Sequence, residues 1–361
     1  MKKNKILALF FLVLIVVVTG LYKYFCPVWA PLPKLTGAYG VGINTKQLVD
    51  LDRSEIYSKD SNDKRMLMVD LYYPTRKTDQ LYLYQPEMLK AFSQEVTAHS
   101  HLPGFIWNSL LTGLKGYAQP NAQIINTKPN YPIIISLPGI GGPAFNSDLE
   151  EVASWGYIVA AIYPTYDVDG VMFNDDKIIG LNPELRNYVA QNDRDNIYAY
   201  RGRAHQIWLQ DVKFVLQELQ KINHDSASMF FNKLDFNRLG ILGVSHGGAV
   251  AIDFCRDNEI CKAGIDMDGW TKTANTEQGF NKPFMFLMSP ENVDKIDPLF
   301  INMGSLTQKV LIEGSVHANF GGPMLKWPLS KLFVNSKRDP IQIRTEILQY
   351  VRKFFDKYLD I

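Results

Sequence analysis

Apolar runs of strand length alternate with longer segments of helical periodicity over most of the chain. Strand-like runs lie at 131–137, 157–163, 238–242, 283–288 and 309–312. Segments with helical spacing lie at 203–221, 249–255 and 341–358. Such alternation predicts the α/β class, with a mostly parallel central sheet and helices on both of its faces.

Two stretches depart from this alternation. After an antiparallel opening at 36–74, residues 75–130 form an excursion with helical stretches at 87–96 and 105–114. Its aromatic residues favour core packing, with an acyl pocket or a lipid-docking surface as the alternative. The second stretch, 166–200, is polar, which is typical of either an active-site lid or a solvated loop.

The N-terminal segment has a pattern of its own. A basic start at 1–5 precedes residues 6–21, which are apolar except for Thr19 and Gly20. We therefore predict a signal peptide or, preferably, an uncleaved membrane anchor over 1–25, and a proline-rich linker over 26–35. Residues 36–361 then form one exported, extracytoplasmic domain, with insertions at about 75–130 and 166–200.

Residues 243–248 read Gly-Val-Ser-His-Gly-Gly and lie between a strand-like run and a helix-like run. In that setting Gly-x-Ser-x-Gly predicts a nucleophile elbow, a turn so sharp that Gly243 and Gly247 have room only for a hydrogen atom. The turn would raise the hydroxyl group of Ser245 above the carboxyl edge of the sheet. The motif therefore predicts a nucleophilic serine.

An acid and a histidine follow in the order that the α/β-hydrolase fold requires. Asp268 follows a strand-like run, and His317 follows the run at 309–312. A serine needs an imidazole to accept its proton, and the imidazole needs a carboxylate to orient it. We assign these three roles to Ser245, His317 and Asp268.

The acid has a second candidate, and so does the base. Asp266 points to the same side as Asp268 if the strand continues, but Gly269 ends the strand beside Asp268, where a catalytic acid belongs. No other histidine follows a late strand with a loop long enough to return to Ser245. These other histidines are His99, His101, His205, His224 and His246.

A glycine-rich loop, Pro-Gly-Ile-Gly-Gly-Pro-Ala, follows the strand-like run 131–137. In this fold such a loop supplies one backbone donor of the oxyanion hole, which we place at Ile140, with His246 as the second. The same loop also fits the dinucleotide fingerprint G-x-G-x-x-A. That alternative is disfavoured because Pro143 delays the helix and the next strand ends in Pro164-Thr-Tyr, without an acid.

The chain resembles the platelet-activating-factor acetylhydrolases of the lipoprotein-associated and bacterial type, which are α/β-hydrolases, from about residue 36 to its end. The matching segments are 131–142, 155–161, 243–248, 264–270 and 314–320, with 40–42 and 69–75 upstream. The resemblance implies that Asp268 is the acid, that His317 is the base, and that the substrate is a phospholipid with a short acyl group. Pro138 and His246 depart from the family's histidine and apolar residue; both change the polarity expected of the pocket and leave the backbone donors in place.

The charge balance and the positions of histidine and cysteine limit which partners the chain is expected to bind. The formal net charge is +1, from 38 basic and 37 acidic residues, so no basic field exists to attract nucleic acid. His99 and His101 have two-ligand spacing, but no further cluster supports a metal, and we expect none. Cys255 and Cys261 are six residues apart and could form a disulfide in an oxidising compartment, or remain two buried thiols.

The sequence therefore predicts a serine carboxylic-ester hydrolase that works through an acyl-enzyme and needs no cofactor. Its expected partners are a phospholipid or small ester substrate and, through the N-terminal segment, a membrane. One alternative is a general short-chain carboxylesterase or polyesterase. Another is a catalytically silent, membrane-tethered binding protein, which the intact serine, acid and histidine argue against.

Overall fold

The computed structural model describes residues 11–21, 32–99, 104, 114–143, 146–269, 277–321 and 335–360. The strands are β1 (Gly40–Ser54), β2 (Lys64–Thr75), β3 (Tyr82–Leu83), β4 (Lys115–Gly116), β5 (Ala118–Pro120), β6 (Tyr131–Leu137), β7 (Ile158–Tyr163), β8 (Val171–Met172), β9 (Ile178–Ile179), β10 (Leu234–Val244), β11 (Cys261–Met267), β12 (Phe284–Met288) and β13 (Thr307–Leu311). The helices are α1 (Pro86–His99), α2 (Asp148–Ser154), α3 (Pro183–Ala190), α4 (Arg194–His224), α5 (His246–Asp257), α6 (Asp297–Phe300) and α7 (Pro340–Tyr358), with 3₁₀ turns at Val293–Ile296 and His317–Phe320.

Nine strands of the described chain form one sheet, in the order β13-β12-β11-β10-β6-β7-β2-β1-β5. The neighbours from β7 through β6 and β10 to β13 are parallel, whereas β2 is antiparallel to both β1 and β7. The α/β architecture predicted from the alternation is confirmed, including its antiparallel opening. Because Leu137 pairs with Gly243, and Gly243 with Asp266, the loops after β6, β10 and β11 emerge at one edge.

The core lies on both faces of this sheet. One face is covered by α4 and α5, whose buried Trp208, Val212 and Phe254 pack against the strands. The opposite face is covered by α2 and α7, through residues such as Val152 and Phe355. Burial of strands on both faces explains why β6, β7 and β12 are apolar at nearly every position and show no alternation.

The polar stretch 166–200 has regular secondary structure over much of its length and is not a solvated loop throughout. It contains the β8–β9 hairpin, α3 and the first turns of α4, which begins at Arg194, earlier than the helical periodicity suggests. Asp193 caps that helix by accepting a hydrogen bond from the backbone N–H of Asn196. Val168 and Val171 are fully buried, so part of the stretch belongs to the core.

Several expectations concern residues outside the described part of the chain. These include 1–10 and 22–31 of the N-terminal segment and linker, most of the helical stretch 105–114, and His101. Residues 11–21 are helical. Within the described ranges, no helix combines the length and the apolar character needed to cross a membrane.

Candidate active site

Ser245 lies in the turn between β10 and α5, with φ of 53° and ψ of −116°. A non-glycine residue with positive φ is strained, and such strain persists only where the surrounding structure enforces it. Here the backbone N–H of Ser245 donates to the carbonyl of Met267 (3.0 Å), while the serine carbonyl accepts the N–H of Gly248 (3.0 Å). The turn is therefore fixed on both sides, and the side chain of Ser245 is held at the carboxyl edge of the sheet.

The two glycines of the motif are required by close backbone contacts. A Cβ atom on Gly243 would overlap the carbonyl group of Gly247. A Cβ atom on Gly247 would lie 2.5 Å from the carbonyl oxygen of Pro138 and 2.7 Å from that of Leu137. The elbow thus packs directly against the end of β6, which brings the glycine-rich loop beside Ser245.

A chain of hydrogen bonds connects Ser245, His317 and Asp268. Nδ1 of His317 lies 2.6 Å from Oδ2 of Asp268, and Nε2 lies 3.1 Å from Oγ of Ser245. Because an ionised carboxylate can only accept, Nδ1 carries the proton and Nε2 is left to face the serine hydroxyl. That arrangement is the one a general base needs in order to remove the serine proton.

Asp268 is buried and receives three further hydrogen bonds, all from residues just after β12. The backbone N–H of Ser289 donates to Oδ1 (2.6 Å), and its hydroxyl group donates to Oδ2 (3.0 Å). The side-chain amide of Asn292 also donates to Oδ2 (2.7 Å). Sequence reasoning missed Ser289 and Asn292, although their position directly after a predicted buried strand was a usable signal. Together they fix the carboxylate that orients His317.

His317 begins a 3₁₀ turn, and its backbone is held independently of its ring. Its N–H donates to Oε1 of Glu291 (2.7 Å), and the N–H of Val316 donates to Oδ1 of Asn319 (2.8 Å). The side chain is 47% exposed, against 0% for that of Asp268. A base that is exposed on one side can be reached by both substrate and water, while its buried acid keeps its orientation.

The glycine-rich loop after β6 lies against the nucleophile. A Cβ atom on Gly139 would lie 3.3 Å from Cβ of Ser245, and the N–H of Gly142 bonds back to the carbonyl of Gly139 (3.1 Å). Among the described residues, no acceptor is recorded for the backbone N–H of Ile140. His246 is the first residue of α5, where an N–H group has no acceptor within the helix. The loop that carries Ile140 and the first residue of α5 therefore both border Ser245.

Residues 167–169 anchor the same loop, a role that the sequence did not suggest. The N–H of Gly141 donates to the carbonyl of Asp167 (2.7 Å), and the N–H of Asp169 donates to the carbonyl of Gly142 (2.8 Å). The carboxylate of Asp167 is in turn bound by the hydroxyl of Tyr200 (2.7 Å) and by the indole N–H of Trp208 (2.8 Å). The polar stretch after β7 thus positions the loop that carries Ile140.

Comparison with known proteins identifies the family. The family model described as platelet-activating factor acetylhydrolase, isoform II, matches residues 29–329. The chain belongs to this family. A platelet-activating factor acetylhydrolase of Cavia porcellus is 25% identical over 319 residues, which cover 80% of this chain and 68% of the relative. The one from Bos taurus is 23% identical over 318 residues, with the same coverage.

A solved structure supports the fold assignment. The chain is similar to a ferulic acid esterase from Streptomyces cinnamoneus, with a TM-score of 0.71 and 23% identity, over 91% of this chain and 93% of that one. The α/β-hydrolase fold and the resemblance to the acetylhydrolase family are thus confirmed. As a member of the platelet-activating factor acetylhydrolase family, the chain is a carboxylic-ester hydrolase.

Asp266, the alternative acid, does not reach His317 in this acetylhydrolase-family chain. It is fully buried under the elbow, where Cβ atoms on Gly248 or Gly269 would overlap its carboxyl group. Burial, and then the nearby charge of Asp268, raise the pKa of Asp266 well above its usual range. Burial therefore favours the protonated form of Asp266, and its position under the elbow keeps it from the role of the acid that orients His317.

The side chain of His246 points into the core, away from the hydroxyl group of Ser245. Its ring lies edge-on to those of Trp208 (4.8 Å between centroids) and His205 (5.8 Å), and it is 1% exposed. Burial, followed by the proximity of His205 and Arg201, holds the pKa of His246 well below its usual range. His246 is therefore neutral, and the departure from the family's apolar residue leaves the core uncharged.

The remaining described histidines have partners outside the site. His205 pairs with Asp253 (2.8 Å), His224 bonds to the carbonyl of Gln220 (2.7 Å), and His99 lies 3.7 Å from Glu95. The structure also joins Cys255 to Cys261 by a disulfide between the end of α5 and the start of β11, with their Cα atoms 5.1 Å apart.

Proposed function

We propose that the chain is a serine hydrolase in which Ser245 is the nucleophile, His317 the general base and Asp268 the acid that orients it. The substrate that we propose is a phospholipid carrying a short acyl group. The observation that carries the catalytic part is the continuous hydrogen-bond chain from Asp268 through His317 to Ser245. The three bonds that Ser289 and Asn292 donate to Asp268 support it further, because they hold the carboxylate in the position from which it orients His317.

In the proposed reaction, Oγ of Ser245 attacks the ester carbonyl carbon while Nε2 of His317 accepts its proton. The carboxylate of Asp268 stabilises the resulting imidazolium. The N–H groups of Ile140 and His246 stabilise the tetrahedral oxyanion, and each such donor contributes about 3 kcal/mol. The imidazolium then protonates the leaving alcohol, and a water molecule, activated by His317 in the same way, hydrolyses the acyl-enzyme.

The choice of substrate rests on the family. The curated relatives are named platelet-activating factor acetylhydrolases, and the match spans most of this chain. The second candidate is a general short-chain carboxylesterase, because Pro138 replaces a histidine that the family usually has in the loop beside the nucleophile. A silent binding protein is the third, and a complete hydrogen-bonded trio counts against it.

We also propose that the catalytic domain lies outside the cytoplasm, with its N-terminal segment in a membrane. The apolar run 6–21 after a basic start supports this location. So does the Cys255–Cys261 disulfide, because disulfides persist mainly in oxidising compartments. Digestion of the domain by protease added to intact expressing cells is the expected result, and protection of the domain would contradict the proposal.

Hydrolysis by the full chain in an uncharged detergent tests the proposed reaction. The substrates are p-nitrophenyl esters from acetyl to palmitoyl and a 2-acetyl phospholipid. Ser245→Ala is the inactive variant, and the matched control is Ser226→Ala, which removes an exposed hydroxyl group in the turn after α4. We expect turnover that disappears in Ser245→Ala, persists in Ser226→Ala, and favours acetyl over longer acyl groups.

The outcomes separate the three candidates. Serine-dependent release of acetate from the phospholipid supports the proposal in full. Serine-dependent turnover of the simple esters alone would replace the substrate with that of a general esterase. Absence of turnover from a chain whose circular dichroism shows a folded α/β domain would favour the silent binding protein.

A further inference from the structure

A cavity separate from the Ser-His-Asp trio lies among β1, β2, the start of α1 and the segment after β8. It has a volume of about 670 Å³, and none of its lining residues belongs to the Ser-His-Asp trio or the glycine-rich loop. We call it the Asp70 cavity, after a residue at its floor. Asp70 of β2 pairs with Ala161 of β7, Ala161 pairs with Ser136 of β6, and Ser136 pairs with Leu242 of β10. Three strand spacings, or roughly 14 Å, therefore separate Asp70 from the strand that ends at Ser245.

The charge in the Asp70 cavity has one sign. Asp70 lies at the floor with 1% exposure, while Glu87 and Asp176 lie at the solvent-exposed rim. No lysine, arginine or histidine is present among the described residues that line the cavity. Three carboxylates around one concave, partly apolar site produce a negative potential that attracts a cation.

Asp70 has no cationic partner among the described residues. Its carboxylate accepts hydrogen bonds from the hydroxyl of Thr45 (2.5 Å) and from the side-chain amide of Gln85. Burial outweighs the bonds from Thr45 and Tyr163 and raises the pKa of Asp70 to about 6, so the group is still mostly ionised at pH 7.5. A buried charge without a counter-charge is costly, and a bound cation would offset that cost.

Gln85 supplies the second, independent observation. It is 8% exposed and lines the cavity. Its Nε2 lies within hydrogen-bonding distance of the carboxylate of Asp70 and of the hydroxyl groups of Tyr72 (2.5 Å) and Tyr163 (3.3 Å). A carboxylate can only accept hydrogen bonds, so the NH₂ group of the amide, and not its oxygen, must face Asp70. Oε1 is consequently buried, and no hydrogen-bond partner for it is found in the described part of the chain. A buried acceptor without a donor is costly, and because this atom has almost no accessible surface, the amide group has to move slightly toward the cavity before an N–H or O–H group of a ligand can reach it.

The walls of the Asp70 cavity indicate the rest of the ligand. Met68, Met88, Met172 and Phe173 are buried and line it. Methionine side chains adapt to irregular apolar groups, and the volume falls within the range of small-molecule sites. A ligand that satisfies both the floor and the walls has an apolar body and one cationic N–H donor.

We propose that the Asp70 cavity binds a small primary amine in its ammonium form. After a small displacement of the Gln85 amide, the ammonium group donates to Oε1 of Gln85, and Asp70 and Asp176 balance its charge. The apolar body of the ligand packs on the methionines and Phe173. The proposal does not depend on the esterase activity, because the site shares no residue with the elbow or its partners.

Calorimetric titration of the full chain in an uncharged detergent at pH 7.5 tests this proposal, with 2-phenylethylammonium as the probe. Two analogues separate charge from shape: 2-phenylethanol lacks the cation, and N,N,N-trimethyl-2-phenylethylammonium lacks the N–H donors. The variants are Asp70→Asn and Asp176→Asn, with Asp175→Asn as the matched control, since Asp175 is a neighbouring exposed acid outside the lining. Titration of Ser245→Ala keeps the measurement independent of catalysis.

We expect the primary ammonium to bind in the millimolar range or tighter, and both analogues to bind at least tenfold more weakly. Asp70→Asn should weaken binding at least about tenfold, because it removes a buried charge. Asp176→Asn should weaken it about threefold, as is usual for an exposed charge, and Asp175→Asn should leave it unchanged. Equal binding of the alcohol, equal binding of the trimethyl analogue, or no detectable binding of the primary ammonium would each overturn the proposal.

Discussion

Asp266 and Asp268 stand two residues apart, yet only Asp268 forms a hydrogen bond with His317 (2.6 Å). β11 ends at Met267, and Asp268 has φ of 53°, so the chain turns out of the strand between the two acids. Asp266 stays beneath the elbow, where burial raises its pKa well above its usual range. This difference in position leads to opposite expectations for the two matched amide variants.

We expect Asp268→Asn to lower kcat by about 10⁴-fold, because the amide favours the wrong tautomer of the histidine. Asp266→Asn should lower it less than about tenfold, since an amide is close in shape to the protonated acid it replaces. Steady-state hydrolysis of p-nitrophenyl acetate measures both. A larger loss in Asp266→Asn would transfer the role of the acid to Asp266.

Asp266→Asn should also change the stability of the fold with pH. The pKa of the Asp266 carboxyl group is higher in the folded state than in the unfolded state. Its contribution to the stability of the fold is therefore greatest below the unfolded-state pKa and is lost as the pH rises. The amide has no such dependence. The thermal midpoint of the variant should therefore exceed that of the parent chain at pH 7.5, and the difference should shrink toward pH 4.

Two glycines offer a matched test of the elbow. Gly247→Ala would place Cβ 2.5 Å from the carbonyl oxygen of Pro138, whereas a Cβ on Gly202 in α4 would meet nothing within 4 Å. The first change should reduce the free energy of unfolding by about 1–3 kcal/mol and displace the glycine-rich loop, so activity falls with it. Gly202→Ala should raise the free energy of unfolding by about 0.5–1 kcal/mol and leave kcat unchanged. Denaturant titration and ester hydrolysis, run on both variants, would contradict this account if Gly247→Ala proved as active as Gly202→Ala.

The site was predictable in those parts that follow from strand order. Parallel strands bring their carboxyl ends to one edge, so residues placed directly after β10, β11 and β13 were expected to meet, and Ser245, Asp268 and His317 do lie together. The sharp turn at Ser245 could be predicted because Gly243 and Gly247 stand two residues before and after it, at positions that have no room for a Cβ atom.

The supporting contacts were not predictable, because they depend on packing between distant segments. Asn292 reaches Asp268 only because the chain turns back into a 3₁₀ segment after β12. Asp167 holds the loop at Gly141 through a backbone carbonyl, a group that every residue type carries and no pattern reveals. Likewise, α4 begins earlier than its apolar periodicity, because its first turns are capped by Asp193 and present polar side chains.

The disulfide between Cys255 and Cys261 gives a chemical prediction. Closing a loop this short should contribute about 2 kcal/mol to the free energy of unfolding in the chain-entropy description. The double variant Cys255→Ala/Cys261→Ala should lose roughly that amount and retain full activity, because Cys255 lies near the end of α5 remote from Ser245 and Cys261 lies at the end of β11 remote from Asp268. Intact mass after alkylation, with and without prior reduction, measures the bond itself. Alkylation of both residues without a reductant would show that the two thiols are unpaired.

Substitution of His246 tests the role of its side chain while its backbone N–H group stays in place. His246→Phe keeps the N–H group beside Ser245 and removes a buried imidazole whose pKa is held well below its usual range. In the parent chain the unfolded state gains a proton as the pH falls below about 6.5, while the folded state does not, so this residue lowers the free energy of unfolding by up to about 1.4 kcal/mol per pH unit there. Above that pH it has no such effect.

Denaturant titrations at pH 7.5 and 5.5 should therefore show a smaller loss of stability for the variant than for the parent, by about 1 kcal/mol. Its kcat should stay within a few-fold of the parent value, since the oxyanion donor is retained. If the two chains lost equal stability between these pH values, His246 would have to take up a proton in the folded state, which its apolar contacts with Trp208 do not accommodate.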